Sequence, residues 1–306
     1  ITHAHEDHIG AVNAYWPTLK CPIYAPNYAY AVLDGRFRRN NTRHCVNMVP
    51  YQPGHTLRIG SFVIDSVPVT HSTADSVALA IQDKMGTILH SGDWKMDPYT
   101  NVGLGTDAEK LKQIGDKGVR LLVNESTNAN KEGRAGSEID VLMGIEDIVK
   151  NAKGSVIISG FASNTDRVVA MQAIANRTGR KVGVIGGSLD KGIAAAYAAG
   201  HLSNPDEYLD VNTLAQYPRD KQILLTTGAQ GEPGAGNQRI IAGDTAFNID
   251  GETTIILASS RIPGNEKQID DMIAEFKRMG ATVYTRDSEG HIVHVSGHRN
   301  ADDYRD

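Results

Sequence analysis

The residues best equipped for chemistry open the chain: Ile1-Thr2-His3-Ala4-His5-Glu6-Asp7-His8-Ile9-Gly10. Three imidazoles and a carboxylate (His3, His5, Asp7, His8) fall in one short stretch. In extended backbone His3 and His5 point the same way, because side chains alternate with a period of two. Asp7 and His8, adjacent on a turning backbone, can face a second ion close by. Neutral imidazole and carboxylate suit zinc, manganese or a similar divalent ion. The bland alternative is a polar surface loop that happens to be rich in histidine; so dense a cluster favours metal.

Further candidates follow at intervals. His71 comes after Val67–Thr70, at the C-terminal edge of an expected strand, where a lone histidine is more often structural than a ligand. Asp93 follows Gly92, which permits a tight bend, and a carboxylate just past a strand can bridge two ions. Glu125 ends the apolar stretch Val119–Asn124; on position alone a cap or a surface ion pair explains it equally well. Residues His291 to His298 alternate histidine or serine with apolar residues, which predicts a strand with one polar and one buried face.

The elements that must position these groups fall into two halves. In the first, Ile9–Leu19 reads as a helix closed at Cys21-Pro22, Ile23–Ala25 as a strand and Tyr28–Leu33 as a helix. Arg36, Arg38, Arg39 and Arg43 form a basic cluster, either a solvated face or a lip that touches phosphate. Leu57–Ile59 and Phe62–Ile64 suggest a hairpin, and Val77–Gln82 and Thr87–His90 two more strands. A helix is expected over Ser137–Lys150, with Ser137 as its cap and Ile139, Leu142, Ile145, Ile148 and Val149 on its apolar face. Beyond it strands and helices alternate: 155–159, 166–177, 181–185, 189–199, 223–227, 253–258, 266–279 and 281–284. That alternation implies βαβ units and a parallel sheet. Glycine and serine recur in four loops at the expected strand ends, 160–164, 186–188, 228–233 and 259–266. Such loops leave backbone N–H groups free to meet phosphate. Ordinary turn chemistry explains any one of them; four on one edge favour a ligand.

Composition sets outer bounds. A chain of 306 residues suggests two domains, and 40% hydrophobic with 22% charged residues is ordinary for a globular protein. A net charge of −5 argues against indiscriminate nucleic-acid binding, although bound metal and local arginines can supply positive charge where it is needed. Cys21 and Cys45 fit no disulfide or metal-site spacing and read as free thiols of a reducing, cytoplasmic setting. No membrane-length apolar run or signal peptide is visible. The sequence opens without Met, directly on the candidate metal motif, and reads as an excerpt of a longer protein.

The His-x-His-x-Asp-His-Ile-Gly opening looks like the signature of the metallo-β-lactamase superfamily. Later segments resemble the ribonuclease J family of its β-CASP branch. These are His71-Ser72-x-x-Asp75-Ser76, Gly92-Asp93-Trp94-Lys95, Glu125-Ser126-Thr127-Asn128-Ala129, Phe161-Ala162-Ser163-Asn164, Gln230-Gly231-Glu232-Pro233, Ile262-Pro263-Gly264-Asn265-Glu266 and His294-Val295-Ser296-Gly297-His298. The resemblance implies an α/β chain: a metallo-β-lactamase αββα sandwich, N-terminally incomplete, over 1–136, an inserted β-CASP parallel-sheet domain over 137–290, and a return to the sandwich over 291–306.

It also implies a chemistry. His3, His5 and His71 would hold one divalent ion and Asp7 and His8 another, with Asp93 as the bridge. Zinc is the first expectation and manganese or magnesium the alternatives. The second site is incomplete here, because the family's last ligand lies in a His-Gly-Glu segment downstream of His298 that does not occur before Asp306. His298 would be the general acid with Glu125 orienting it, where the family more often has Asp, and Asp7 would complete the catalytic set. His294, Ser296, Ser163, Asn164 and Ser188 would contact phosphate or RNA, although Gly186-Gly187-Ser188 replaces a common Gly-Arg-Ser. The implied activity is hydrolysis of single-stranded RNA, 5′-exonucleolytic, endonucleolytic or both, in RNA processing and decay. No membrane partner and a homo-oligomeric full-length protein are implied. Two rivals are a lactonase- or thioesterase-like hydrolase, opposed by the inserted domain, and a non-catalytic RNA-binding paralogue, opposed by the six ligands present.

Overall fold

A computed structural model describes residues 1–305. It divides into two units, each with its own core. The first holds Ile1–Gly136, Ala198–His201 and the closing segment from Ser296; the second holds Ser137–Tyr197 and Leu202–Val295.

The first unit begins with α1 (Glu6–Ile9) and α2 (Val12–Leu19) in place of the one helix expected over Ile9–Leu19. Glu6 and Asp7 in the first turn favour an earlier start, because carboxylates suit a helix N-terminus. Gly10 still has helical dihedrals and closes α1 through its N–H to the Glu6 carbonyl, and the helical run is interrupted at Ala11, whose ψ is −7. Strand β1 (Ile23–Pro26) pairs in parallel with β2 (Met48–Tyr51), and α3 (Asn27–Arg39) lies between them. Helix α3 runs further than expected and carries Arg36, Arg38 and Arg39 in its last turn, where cations suit the negative end of the dipole. Its Ala29, Leu33 and Phe37 recur every four residues and pack against Ile9, Ile23, Ala25 and Met48.

Strands β3 (Thr56–Ile59), β4 (Phe62–Pro68), β5 (Val77–Asp83) and β6 (Gly86–His90) form an antiparallel meander. Helix α4 (Ala108–Lys117) contributes Ile114 to the core on this sheet. Strand β7 (Leu121–Val123) then joins β6 in parallel at the sheet edge. The apolar strand expected over Val119–Asn124 thus pairs over three residues only. All three are solvent-exposed, at 51, 55 and 43%.

In the second unit the oxygen of Ser137 accepts from the Ile139 backbone N–H at 3.3 Å and caps α5 (Glu138–Asn151). The inward face differs from expectation at one end: Val141 is fully buried, whereas Ile139 is exposed. There follow β8 (Val156–Ser159), α6 (Thr165–Thr178), β9 (Lys181–Ile185), α7 (Gly187–Ala198), β10 (Tyr208–Asp210), α8 (Val211–Leu214), β11 (Gln222–Thr226), α9 (Gly236–Ile241), β12 (Thr254–Leu257), α10 (Glu266–Arg278) and β13 (Thr282–Tyr284). The six strands form one parallel sheet in the order β10-β9-β11-β8-β12-β13. Side chains of α5, α6 and α7 pack in one core cluster and those of α8, α9 and α10 in another, so both faces are covered, as a parallel sheet requires.

Residues His291–His298 form no strand. Their alternation survives only in part as burial: Val293 is fully buried and Val295 packs on the same core. A period of two satisfies extended coil as well as a ladder. Residues 291–295 belong to the second unit, and the chain rejoins the first at Ser296. Among the described residues no helix is long and apolar enough to cross a membrane.

Candidate metal centre

Strands β4 and β6 both run antiparallel to β5, and β7 runs parallel to β6. All three therefore end at the same edge of the sheet. His71 follows β4, Asp93 follows β6 and Glu125 follows β7. The opening segment lies along that edge, because the Val77 N–H at the start of β5 donates to the Thr2 carbonyl at 3.1 Å. The bend before Asp93 needs glycine. Gly92 has φ +59, and a Cβ there would sit 2.8 Å from the Val77 carbonyl oxygen.

The side chains converge at this edge. His71 Nε2 lies 2.9 Å from His5 Nδ1. Asp93 Oδ2 lies 3.2 Å from His8 Nε2, 3.8 Å from His3 Nε2 and 4.0 Å from His71 Nε2. Two ligand atoms tetrahedrally disposed about an ion at ~2.0–2.2 Å sit roughly 3.3–3.6 Å apart. The observed spacings bracket that value, so the donors fit a cation. His3 makes the same point: it is fully buried and its Nε2 has no hydrogen-bond partner. Leaving such a nitrogen unmet costs about 1–3 kcal/mol, which a bound cation removes. His71 is set for the task by its other nitrogen. Nδ1 lies 2.8 Å from the Gly297 carbonyl, which can only accept, so Nδ1 carries the proton and Nε2 faces the cluster.

Burial holds these imidazoles neutral. His71 is pushed down to about 3, first by burial and then by its closeness to His5, since the two rings resist being protonated together. His5 is pushed down to about 4, again chiefly by burial. His8 moves the other way: its hydrogen bond to Asp93 raises it above the usual imidazole value. Burial pushes the Asp93 carboxyl up, but the His8 hydrogen bond, with smaller help from the neighbouring imidazoles, outweighs it and holds it ionised. One expected result follows. A cation on His5 and His71 meets no proton competition near neutrality, whereas one on His8 must displace a proton wherever the pH lies below that raised value. Calorimetric titrations between about pH 5.5 and 8 should show one affinity that is flat and one that rises with pH, with proton release confined to the second.

Two stretches match known families: residues 1–111 match the beta-lactamase superfamily domain and residues 153–276 the beta-CASP domain of ribonuclease J. Ribonuclease J of Sinorhizobium meliloti is 37% identical over 300 residues, covering 97% of this chain and 53% of that protein. Ribonuclease J of Mycobacterium tuberculosis is 35% identical over 305 residues, covering 98% and 54%. The chain belongs to the ribonuclease J family. It spans about half the length of the curated relatives it matches. A crystal structure of a protein of unknown function from Enterococcus faecalis V583 shares the fold, with a TM-score of 0.59 and 14% identity over 90% of this chain and 64% of that one.

The remaining candidates fall as follows. Asp7 stands off the cluster: its side chain is 77% exposed, and its Oδ2 lies 3.6 Å from His8 Nε2. His298 lies beside His71 with ring centroids 5.0 Å apart, and its Nδ1 is 3.5 Å from Glu125 Oε2. Burial raises the Glu125 carboxyl, but His298 and the Thr127 N–H draw it below the usual range. Ser296 Oγ accepts from Asn128 Nδ2 at 2.8 Å and from the His298 N–H at 3.1 Å, which leaves its own proton to donate. The other four candidates lie in the second unit. Ser163 and Ser188 are exposed, just beyond β8 and β9. The Asn164 side chain accepts from the Arg167 N–H at 3.1 Å and caps α6, so its oxygen is already used. His294 Nδ1 lies 3.4 Å from Arg167 Nη1, and that arginine is buried and forked onto both oxygens of Glu138.

Some supporting residues escaped sequence reasoning. The basic cluster at and just beyond the end of α3 splits in function: Arg43 and Arg38 bind Asp34, whereas Arg36 holds the ligand loop, donating to Glu6 Oε2 and to the carbonyls of Ile9 and Gly10. Asp75 adopts φ +58 beyond His71 and is held by the Tyr28 N–H and by His201, each at 3.0 Å. A non-glycine residue in that region marks a loop held by its surroundings. No local pattern announces the Arg36 and Asp75 contacts, because each joins segments distant in sequence.

Proposed function

We propose that this chain is the catalytic core of a metal-dependent ribonuclease that hydrolyses phosphodiester bonds of single-stranded RNA. The observation that supports it most is the meeting of His3, His5, His8, His71 and Asp93 at one sheet edge, with the His298–Glu125 pair against it. Two divalent ions, when bound, would supply Lewis-acid activation of water and phosphate. His3, His5 and His71 would hold one ion, Asp7 and His8 the other, and Asp93 would bridge. An imidazole-rich donor set favours zinc over magnesium.

The chain's own groups do the rest. His298 delivers a proton to the departing 3′ oxygen, and Glu125 keeps its ring turned toward that oxygen. Asp7, exposed beside His8, has a second carboxylate oxygen with which to orient the incoming water. Ser163, Ser188, His294 and Ser296 offer donors to the RNA backbone, with Asn164 supporting the loop of Ser163. The proposal extends to a 5′-exonuclease or endonuclease of RNA processing and decay, working in the cytoplasm as a homo-oligomer, with residues 1–136 and 291–306 as the catalytic domain and 137–290 as the RNA-holding domain.

The test is a substrate panel on the full-length, metal-loaded protein: 5′-monophosphorylated single-stranded RNA beside thioesters and lactones. Cleavage of the RNA, lost on chelation and restored by metal, is the expected result. Turnover of a thioester or lactone with the RNA left intact overturns the reading.

A further inference from the structure

Behind the His298–Glu125 pair, in the first unit, a buried cation is stacked between two aromatic rings. Arg299 is 5% exposed, and its guanidinium carbon lies 3.9 Å from the ring centroid of Trp94 and 4.0 Å from that of Tyr304. Its Nη2 donates to the side-chain oxygen of Asn124 at 2.7 Å. The Tyr304 hydroxyl donates to the Glu125 carbonyl at 3.1 Å. Each partner adjoins a residue of the site: Trp94 follows Asp93, Asn124 precedes Glu125, and Arg299 follows His298.

A planar guanidinium suits this position. It can lie flat against rings on both of its faces while its edge donates in the plane, which an ammonium cannot do. The stack is also costly in principle, because a buried cation loses its hydration and an apolar side chain could fill the slot. What a filler could not do is tie three segments, the loops at two separate strand ends and the closing segment, into one register. Proton delivery is sensitive to that register, since a misplacement of about 1 Å costs on the order of a hundredfold.

We infer that Arg299 is a positioning residue for proton delivery: clamped between Trp94 and Tyr304 and bonded to Asn124, it holds the Asp93, Glu125 and His298 segments so that His298 meets the leaving oxygen. The inference rests on the ribonuclease reading above, and the experiment separates the two. Full-length, metal-loaded enzyme is compared on ordinary single-stranded RNA and on the same RNA with a bridging 3′ sulfur at the scissile linkage. The sulfur leaves as a thiolate and needs no proton. Arg299→Met should lower kcat on ordinary RNA by roughly 30- to 100-fold. KM, the metal content and the rate on the thio-linked RNA should each stay within about threefold. Arg299→Lys should fall between, because it keeps the charge and loses the fork.

Equal losses on the two substrates, loss of metal, or no loss at all overturn the inference. Should Arg299→Met fail to fold, Trp94→Phe carries the same comparison with a ring still present: a loss confined to ordinary RNA supports the inference and an equal loss on both overturns it. A wild-type enzyme that cuts neither RNA overturns the ribonuclease reading instead.

Discussion

Asp93→Asn is expected to lower kcat/KM on RNA by about a thousandfold or more and to reduce the metal bound per chain. The substitution keeps the shape of the side chain and removes its charge. That charge stands at the centre of the cluster, within 3.2 to 4.0 Å of three imidazole nitrogens. His3 and His71 are buried and stay neutral, so they offer lone pairs but no negative charge to balance a pair of dications. Asp93 is the carboxylate inside the cluster; Asp7 stands largely in solvent. Removing it leaves two cations repelling each other in a half-buried site, and the weaker is lost first. His8 then faces a neutral acceptor in place of a carboxylate, so the pH-dependent limb of metal binding should move to lower pH. Elemental analysis of purified protein, with RNA cleavage on the same sample, checks both halves. A variant that keeps its metal content and cuts RNA at the wild-type rate would remove Asp93 from the site.

The parts of this centre differ in how far the sequence discloses them, for a physical reason. His3, His5, Asp7 and His8 share one loop, so their spacing alone shows what they can hold. His71 and Asp93 need a second fact, that β4 and β6 point the same way, and an antiparallel meander supplies it once the strands are recognised. His298 needs contacts from far along the chain. Its segment is fastened by the Asn300 pairing with Asn128 and by the Asp303 carboxylate accepting from the Ala135 N–H, none of which leaves a periodic trace. The strand expected over His291–His298 does not form, because alternation of polar and apolar residues suits extended coil as well as a ladder. The single helix expected over Ile9–Leu19 is two, because apolar spacing carries across Gly10 and Ala11, whereas the helical run is interrupted at Ala11. The parallel sheet of the second unit was the most legible part, because its buried strands are short apolar runs between turn residues, with helices of period 3.6 between them.

His298→Ala is expected to lower kcat on RNA by about a hundred- to ten-thousandfold, the range for removal of a general acid, with metal content unchanged. The unchanged metal is the sharper half. His298 comes within reach of His71 and Asp93, close enough to be mistaken for a ligand. If it were one, the alanine variant would lose metal and rate together. As a proton donor it should lose rate alone, and imidazole in the buffer should restore part of it by entering the space the ring vacates. Glu125 supplies the matching test. It reaches the leaving group only through His298, to which it is 3.5 Å distant, and its carboxyl is drawn below the usual range by that contact. Glu125→Gln alone should therefore cost about ten- to a hundredfold, as loss of an orienting partner does. In the His298→Ala background the same change should cost almost nothing, because the group it orients is gone. Full additivity of the two losses would mean that Glu125 meets substrate or metal directly, and the acid–orienter assignment would have to be abandoned.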